Sequence, residues 1–330
     1  MSKIFISRKI PSKALDQLNS SGHDILISEL DRSLTSEEFL EKSRGVDAVL
    51  SLLTDKIDGE VIDAIGPQLK IISNYAVGFD NINITEATER GVIVTNTPCD
   101  EVNDAVALHT WALILSLTRR IVEADESTRR GAYKGWEPGI FVGTSLAGKT
   151  LGIIGLGRIG TIVAKMAAGF GLKVLYNKRT QDLEAEKELG IQFAPLNELF
   201  QNSDIISLHV PLTDETHHMI NSKNISLMKP GVILVNTARG PIVYEAELVE
   251  ALRSGHVGGA GLDVYDNEPN INPELIAMEN VVLTPHIASA TKEAREKMGE
   301  MAVWAIINCL DKNLKPDNIV NPEVWDKRRK

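Results

Sequence analysis

Three polar residues stand just beyond short apolar runs in the second half of the chain. Arg239 closes Val235-Asn-Thr-Ala-Arg-Gly240, Glu268 lies in Asp263-Val-Tyr-Asp-Asn-Glu-Pro269, and His286 lies in Leu283-Thr-Pro-His-Ile-Ala-Ser289. An imidazolium gives up a proton near neutral pH. A carboxylate on its other ring nitrogen keeps it charged and oriented. A guanidinium grips a carboxylate through two parallel bonds and polarises a neighbouring carbonyl. The set suits hydride delivery to the carbonyl of a 2-oxo acid, with His286 protonating the alkoxide. Singly, each residue also has an ordinary structural use: a surface ion pair, a solvated loop acid, a helix-start histidine.

Their company decides between these readings. Gly155, Gly157 and Gly160 form G-x-G-x-x-G after the apolar run Thr150–Ile154 and before a helix-like stretch, Thr161–Gly169. A strand turning sharply into a helix presents free N–H groups and a positive dipole end to a pyrophosphate. Gly155 permits the turn, Gly157 lets phosphate approach, and Gly160 lets helix pack on strand. The expected cofactor contacts here are Gly155, Leu156, Gly157, Arg158, Ile159 and Gly160. In NAD sites an acidic residue some 20 positions on binds the adenosine ribose. Here Asn177 takes that place and Lys178, Arg179 and Thr180 follow. Cations there attract a 2′-phosphate, so NADP(H) is expected to be preferred, with NAD(H) possible. The plain alternative is a solvated turn.

Strand-like and helix-like segments alternate throughout to position these groups. Five apolar runs, around Ile4–Ser7, Asp24–Ser28, Ala48–Leu52, Lys70–Asn74 and Val92–Thr95, precede the glycine motif, and Thr35 with Glu38 forms a capping-box pattern. Six more follow: Thr150–Ile154, Lys173–Tyr176, Ile205–His209, Val232–Asn236, Gly259–Leu262 and Val281–Leu283. Such β-branched, nearly all-apolar strands suit parallel sheets covered on both faces. In the tail, Ala290, Ala294, Met298, Met301, Ala305 and Cys309 keep helical spacing and predict one buried stripe returning to the first domain. The expected fold is α/β: two Rossmann-like domains with doubly wound parallel sheets, the cofactor domain (100–287) inserted into a discontinuous substrate domain (1–99 plus 288–330).

Composition narrows the partners. The 330 residues carry a net charge of −10, which argues against nucleic acid and anionic membrane. Two distant cysteines, Cys99 and Cys309, predict neither disulfide nor zinc site and suit a reducing cytoplasm. The first residues lack a signal-peptide core, and the most apolar helix candidate, Ala105–Leu117, is too short to span a bilayer. The adjacent His217 and His218 should diverge, His23 and His256 sit in glycine turns, and His109 should be buried, so no metal site is expected. Around Gly131–Gly139, Tyr133, Trp136 and Phe141 suggest a surface loop or a subunit contact.

With these motifs in order, the chain resembles the D-isomer-specific 2-hydroxyacid dehydrogenases over nearly its whole length. Asn74-Tyr-Ala-Val-Gly-Phe-Asp-Asn-Ile82 is similar to the family's substrate-carboxylate loop, implying that the N–H groups of Val77 and Gly78 face substrate. Leu208-His-Val-Pro-Leu-Thr-Asp-Glu-Thr216 resembles the cofactor-side loop, implying contacts from His209, Pro211 and Thr216. The resemblance further implies cofactor contacts from Thr237, Ala238, Asp263 and Ala288, and catalysis by Arg239, Glu268 and His286. Within the family the pattern is nearest to glyoxylate/hydroxypyruvate reductases and related 2-ketogluconate reductases, with Leu52 at the substrate pocket. Leu108 and Val106 depart from the Glu or Asp and the Thr often found there. A homodimer is implied. The rival readings are an NAD(H)-sensing corepressor-like binding protein and a formate- or phosphite-type dehydrogenase.

Overall fold

The computed structural model describes residues 1–329. The chain forms two compact units, Met1–Val102 together with the segment from Ala290 on, and Asn103–Ser289.

The first unit is built on five parallel strands, β1 (Lys3–Ile6), β2 (Asp24–Ile27), β3 (Ala48–Ser51), β4 (Ile71–Asn74) and β5 (Ile93–Thr95), in the order β2-β1-β3-β4-β5. Consecutive residues of β1, β3 and β4 are buried, so both faces are covered and the strands show no alternation. The helix Ser36–Ser43 starts at the capping box: Thr35 Oγ1 accepts the Glu38 N–H at 3.2 Å, and the Glu38 carboxylate accepts the Thr35 N–H at 2.9 Å.

The helix Lys292–Leu310 packs back on this sheet, with Ser73 Oγ donating to Ala302 O (2.9 Å) and the Tyr75 hydroxyl to Arg295 O (2.8 Å). Its buried face differs from the expected stripe. Ala290 precedes the N-cap Thr291 and is exposed, and Met301 and Cys309 are half-buried. Ala294, Met298 and Ala305 are buried as expected, and Ala302, Val303 and Ile306 join them, because a helix lying on a sheet buries a band wider than one row.

The second unit has seven parallel strands: β6 (Thr150–Ile154), β7 (Lys173–Asn177), β8 (Gln192–Phe193), β9 (Ile205–Leu208), β10 (Val232–Asn236), β11 (Val257–Leu262) and β12 (Val281–Leu283). Their order is β12-β11-β10-β9-β6-β7-β8. Neighbouring residues split between two cores, Ile154 and Leu234 in one, Ile153 and Val235 in the other, so the sheet is packed on both faces. The chain winds outward from β6 in both directions, and the β6/β9 boundary is the switch point where such sheets take ligands. Two elements lay outside the sequence reading: the two-residue edge strand β8, and the helix Ile121–Arg129, which buries none of its residues.

Candidate active site

The glycine turn has the form its residues demand. Gly155 follows β6 at φ +100°, and a Cβ there would strike the backbone carbonyl of His209. Gly157 caps the helix Arg158–Ala167, and nothing lies within 4 Å of where its Cβ would stand. At Gly160 a Cβ would run into the Gly155 carbonyl, so the helix rests directly on the turn. The helix therefore begins at Arg158, three residues before the expected start, with the third glycine inside its first turn. The open cradle at Gly157 is the space a pyrophosphate needs. Leu156 points into the core and offers only its main chain; Arg158 is exposed and Ile159 half-buried.

At the end of β7, Asn177 is half-buried, its side-chain amide donating to Ala194 O (2.9 Å) and its main-chain carbonyl accepting the Gly155 N–H (2.9 Å). Lys178 is less free than its sequence suggested. Its Nζ lies 2.8 Å from Asp182 Oδ2, and that hydrogen bond holds the Asp182 carboxyl below the usual aspartate range. Arg179 and Thr180 are exposed, and Arg179 makes no ion pair among the described residues.

The acid–base residues come from three adjacent strand ends. Arg239 lies three residues beyond β10, where Asn236 ties the turn by accepting the Ala238 N–H (3.0 Å) and donating to Arg239 O (2.8 Å). Gly240 packs its α-carbon against the Tyr265–Asp266 backbone, leaving no room for a Cβ. That segment leads to Glu268, whose Oε1 accepts the Tyr265 N–H at 3.1 Å and whose Oε2 lies 2.8 Å from His286 Nδ1. An ionised carboxylate only accepts, so the proton is assigned to Nδ1 and Nε2 is left to face reactants. Both side chains keep over a quarter of their surface (28% and 29%), enough to meet a substrate.

His286 has a left-handed backbone, φ 54°, rare for a residue other than glycine. Its N–H donates to Asp263 O (2.9 Å) and Thr284 O (3.0 Å). The Asp263 carboxylate accepts from Thr284 Oγ1 (2.6 Å), Ile287 N (2.9 Å) and Ala288 N (2.7 Å). Burial pushes that carboxyl up, yet bonds from His109, Thr284, Ile287 and Ala288 outweigh it and hold it below the usual range. Asp263, expected at the cofactor wall, is fully buried with its carboxylate engaged by the histidine loop, and Ala288, expected beside it, is buried and donates its N–H to that carboxylate. His109 is part-exposed rather than buried, its Nε2 3.0 Å from Thr284 Oγ1.

Further along the rim, His209 Nε2 lies 2.9 Å from Ser207 Oγ, and burial pushes the ring down to about 4, so it is neutral at neutral pH. Thr216 is buried and closes its own loop, accepting the Thr213 N–H (2.8 Å) and donating to Pro211 O (2.7 Å), while Pro211 is exposed. Thr237 Oγ1 meets Thr110 Oγ1 at 3.0 Å, with Ala238 half-buried next to it. His217 and His218 do not diverge. A left-handed His218 (φ 50°) brings the rings to 3.9 Å, and His218 stacks on Tyr244 at 4.6 Å. Among the described residues no three His, Cys, Asp or Glu side chains gather to hold a metal. Phe141 is half-buried under the Arg120 guanidinium (5.4 Å), unlike the exposed Tyr133 and Trp136. In the first unit, Leu52 follows β3 and Val77 and Gly78 follow β4, all half-buried at the same edge of that sheet.

A dinucleotide cradle on the second sheet and an imidazole–carboxylate pair on the rim of that sheet describe a pyridine-nucleotide oxidoreductase. Residues 111–288 match the family model for the D-isomer specific 2-hydroxyacid dehydrogenase, NAD binding domain. The chain is 47% identical to glyoxylate reductase of Thermococcus onnurineus over 331 residues, 99% of this chain and 98% of that protein. It is 48% identical to glyoxylate reductase of Thermococcus litoralis over 326 residues, 98% and 97% of the two. Among solved structures, a protein from Thermus thermophilus superposes with a TM-score of 0.90 at 42% identity, over 96% of this chain and 99% of that one. An NADPH-dependent glyoxylate/hydroxypyruvate reductase from Sinorhizobium meliloti gives 0.83 at 30% identity over 100% of both. The chain belongs to the D-isomer-specific 2-hydroxyacid dehydrogenase family. These matches favour an enzyme over an NAD(H)-sensing binding protein.

Proposed function

We propose that this protein reduces glyoxylate to glycolate, and hydroxypyruvate to D-glycerate, using NADPH in preference to NADH. The observation that carries the chemistry is the 2.8 Å contact between His286 Nδ1 and Glu268 Oε2 beside the Arg239 turn, in a chain nearly half identical to named glyoxylate reductases. A reduced nicotinamide, when bound, supplies the hydride that the carbonyl carbon takes up. The N–H groups of the Gly155–Gly160 turn hold the pyrophosphate, and Arg179 attracts the 2′-phosphate. The N–H groups of Val77 and Gly78 hold the substrate carboxylate. Arg239 polarises the carbonyl, His286 Nε2 gives its proton to the forming alkoxide, and Glu268 holds Nδ1 and keeps the ring oriented.

The exposed apolar side chains of Ile121, Val122, Tyr133, Trp136 and Val142 support a homodimer contact, which light scattering would check. The unpaired Cys99 and Cys309 suit a reducing cytoplasm. The decisive test is steady-state turnover of glyoxylate, hydroxypyruvate, pyruvate and 2-ketogluconate with each nicotinamide. Turnover of glyoxylate with NADPH above about 1 s⁻¹ is expected. Absence of turnover with every 2-oxo acid overturns the reading, and a higher kcat/KM with NADH overturns the cofactor preference.

A further inference from the structure

Resting on that reading, we infer that Asn96, with Asn74, is a positioning residue that aims the substrate-facing N–H groups of the Val77–Gly78 loop. The loop leaves β4 at Asn74, and three successive carbonyls in it are tied down. Ala76 O accepts the Thr97 N–H (2.9 Å), Val77 O accepts from Asn96 Nδ2 (2.7 Å), and Gly78 O accepts from Asn74 Nδ2 (3.0 Å). A trans peptide points its N–H opposite its C=O. Fixing these carbonyls therefore fixes the N–H groups of Val77, Gly78 and Phe79.

In an extended strand, consecutive carbonyls point to opposite sides. Here the carbonyls of Ala76 and Val77 both turn to the Asn96–Thr97 segment beyond β5. The N–H groups of Val77 and Gly78 consequently turn together to the other side, and neither finds a backbone acceptor among the described residues. Successive N–H groups on one side of the chain form an anion-binding concavity. The Thr97 anchor is a backbone group that any residue but proline supplies; the Asn96 anchor requires a side-chain donor at that position.

Both asparagines are themselves braced. Asn96 exchanges bonds with Asn318, accepting from Asn318 Nδ2 (2.5 Å) and donating its N–H to Asn318 O (3.3 Å). Asn74 is fully buried, with Oδ1 accepting from Ser51 Oγ (3.0 Å) and Nδ2 also reaching Asn81 Oδ1 (3.1 Å). Asn81 in turn donates to Leu52 O (3.1 Å) and Asp55 O (2.9 Å), so the same network carries the loop after β3.

The test uses the full-length enzyme with Asn96→Ala, which frees the Val77 carbonyl, and Asn96→Asp, which sets an oxygen against it. Kinetics are compared on glyoxylate and on glycolaldehyde, an aldehyde of similar size without a carboxylate, alongside NADPH affinity and thermal unfolding. Both variants should raise KM for glyoxylate about tenfold or more, the loss of roughly one well-placed hydrogen bond's worth of order. kcat for glyoxylate, kcat/KM for glycolaldehyde and NADPH affinity should move much less. Equal loss on both substrates, or an unchanged KM for glyoxylate in either folded variant, overturns the inference. A wild-type enzyme inactive on every 2-oxo acid overturns the functional reading first, and this inference with it.

Discussion

Gly240→Ala tests whether the rim of the second sheet sets the distance between its guanidinium and its imidazole–carboxylate pair. A Cβ at this position would stand 2.5 Å from Asp266 N and closer still to Tyr265 O. Contact between such atoms needs roughly 3.5 Å and the nearest, Tyr265 O, is closer than Asp266 N, so the two backbones must part by more than about 1 Å. Arg239 is the adjacent residue on one side of that gap. On the other, the Tyr265 N–H is bonded to Glu268, which holds His286. A misplacement of about 1 Å costs on the order of 100-fold in rate, and overpacking of this kind costs about 1–3 kcal/mol in stability. The glycine turn follows β6, two strands from β10, so NADPH affinity should stay within about threefold. Glyoxylate kinetics, NADPH fluorescence titration and urea unfolding read the three quantities. Full kcat/KM in the variant would refute the reasoning. So would parallel collapse of cofactor binding and turnover, which would mean general disruption.

Gly157→Ala should show the opposite split: no neighbour crowds the new Cβ, so stability should fall by about 1 kcal/mol or less, while NADPH affinity drops about tenfold or more, as isothermal titration would measure. His286→Gln should lose most of its turnover and keep its NADPH affinity; equal loss of both in a titration and rate assay would assign His286 a folding role. His209 gives a stability prediction. Burial holds its ring at about 4, below the 6.5 of an ordinary histidine, so the unfolded chain takes up a proton that the folded chain refuses. The stability contribution is present above about pH 6.5 and is lost as pH falls towards 4, at most about 3 kcal/mol. Denaturant unfolding at pH 7 and 4.5 should show a shallower pH slope in His209→Gln than in the wild type.

The apolar runs located ten of the twelve strands within a residue, because doubly covered strands must be apolar at every position. β11 begins two residues earlier than its apolar run, at Val257 and Gly258, and β8 is too short to carry a pattern. The helix Ile121–Arg129 was hidden because it buries nothing and so writes no stripe. At the site, residue types announced the pair Glu268–His286, but the fate of Asp263 depended on donors 21 to 25 positions away. Left-handed backbones at His218 and His286 leave no mark in a sequence without glycine. The pairing of Lys178 with Asp182 was not readable, since it closes a non-helical turn ahead of the helix that Asp182 caps. The asparagines at 74 and 96 look like ordinary turn residues until their acceptors are known.

The strained histidine carries a consequence for anyone retuning this catalyst. A left-handed residue with a Cβ costs about 1–2 kcal/mol. One buried aspartate and the loop bonds around it offset that cost. Substrate range can therefore be redesigned from the first unit's loops, which share none of those bonds. Asp263 and Thr284 supply the side chains of a hidden keystone, while positions 287 and 288 lend N–H groups that any residue but proline keeps; exchanging either of the first two would let the proton donor relax out of aim before a single substrate contact had been altered.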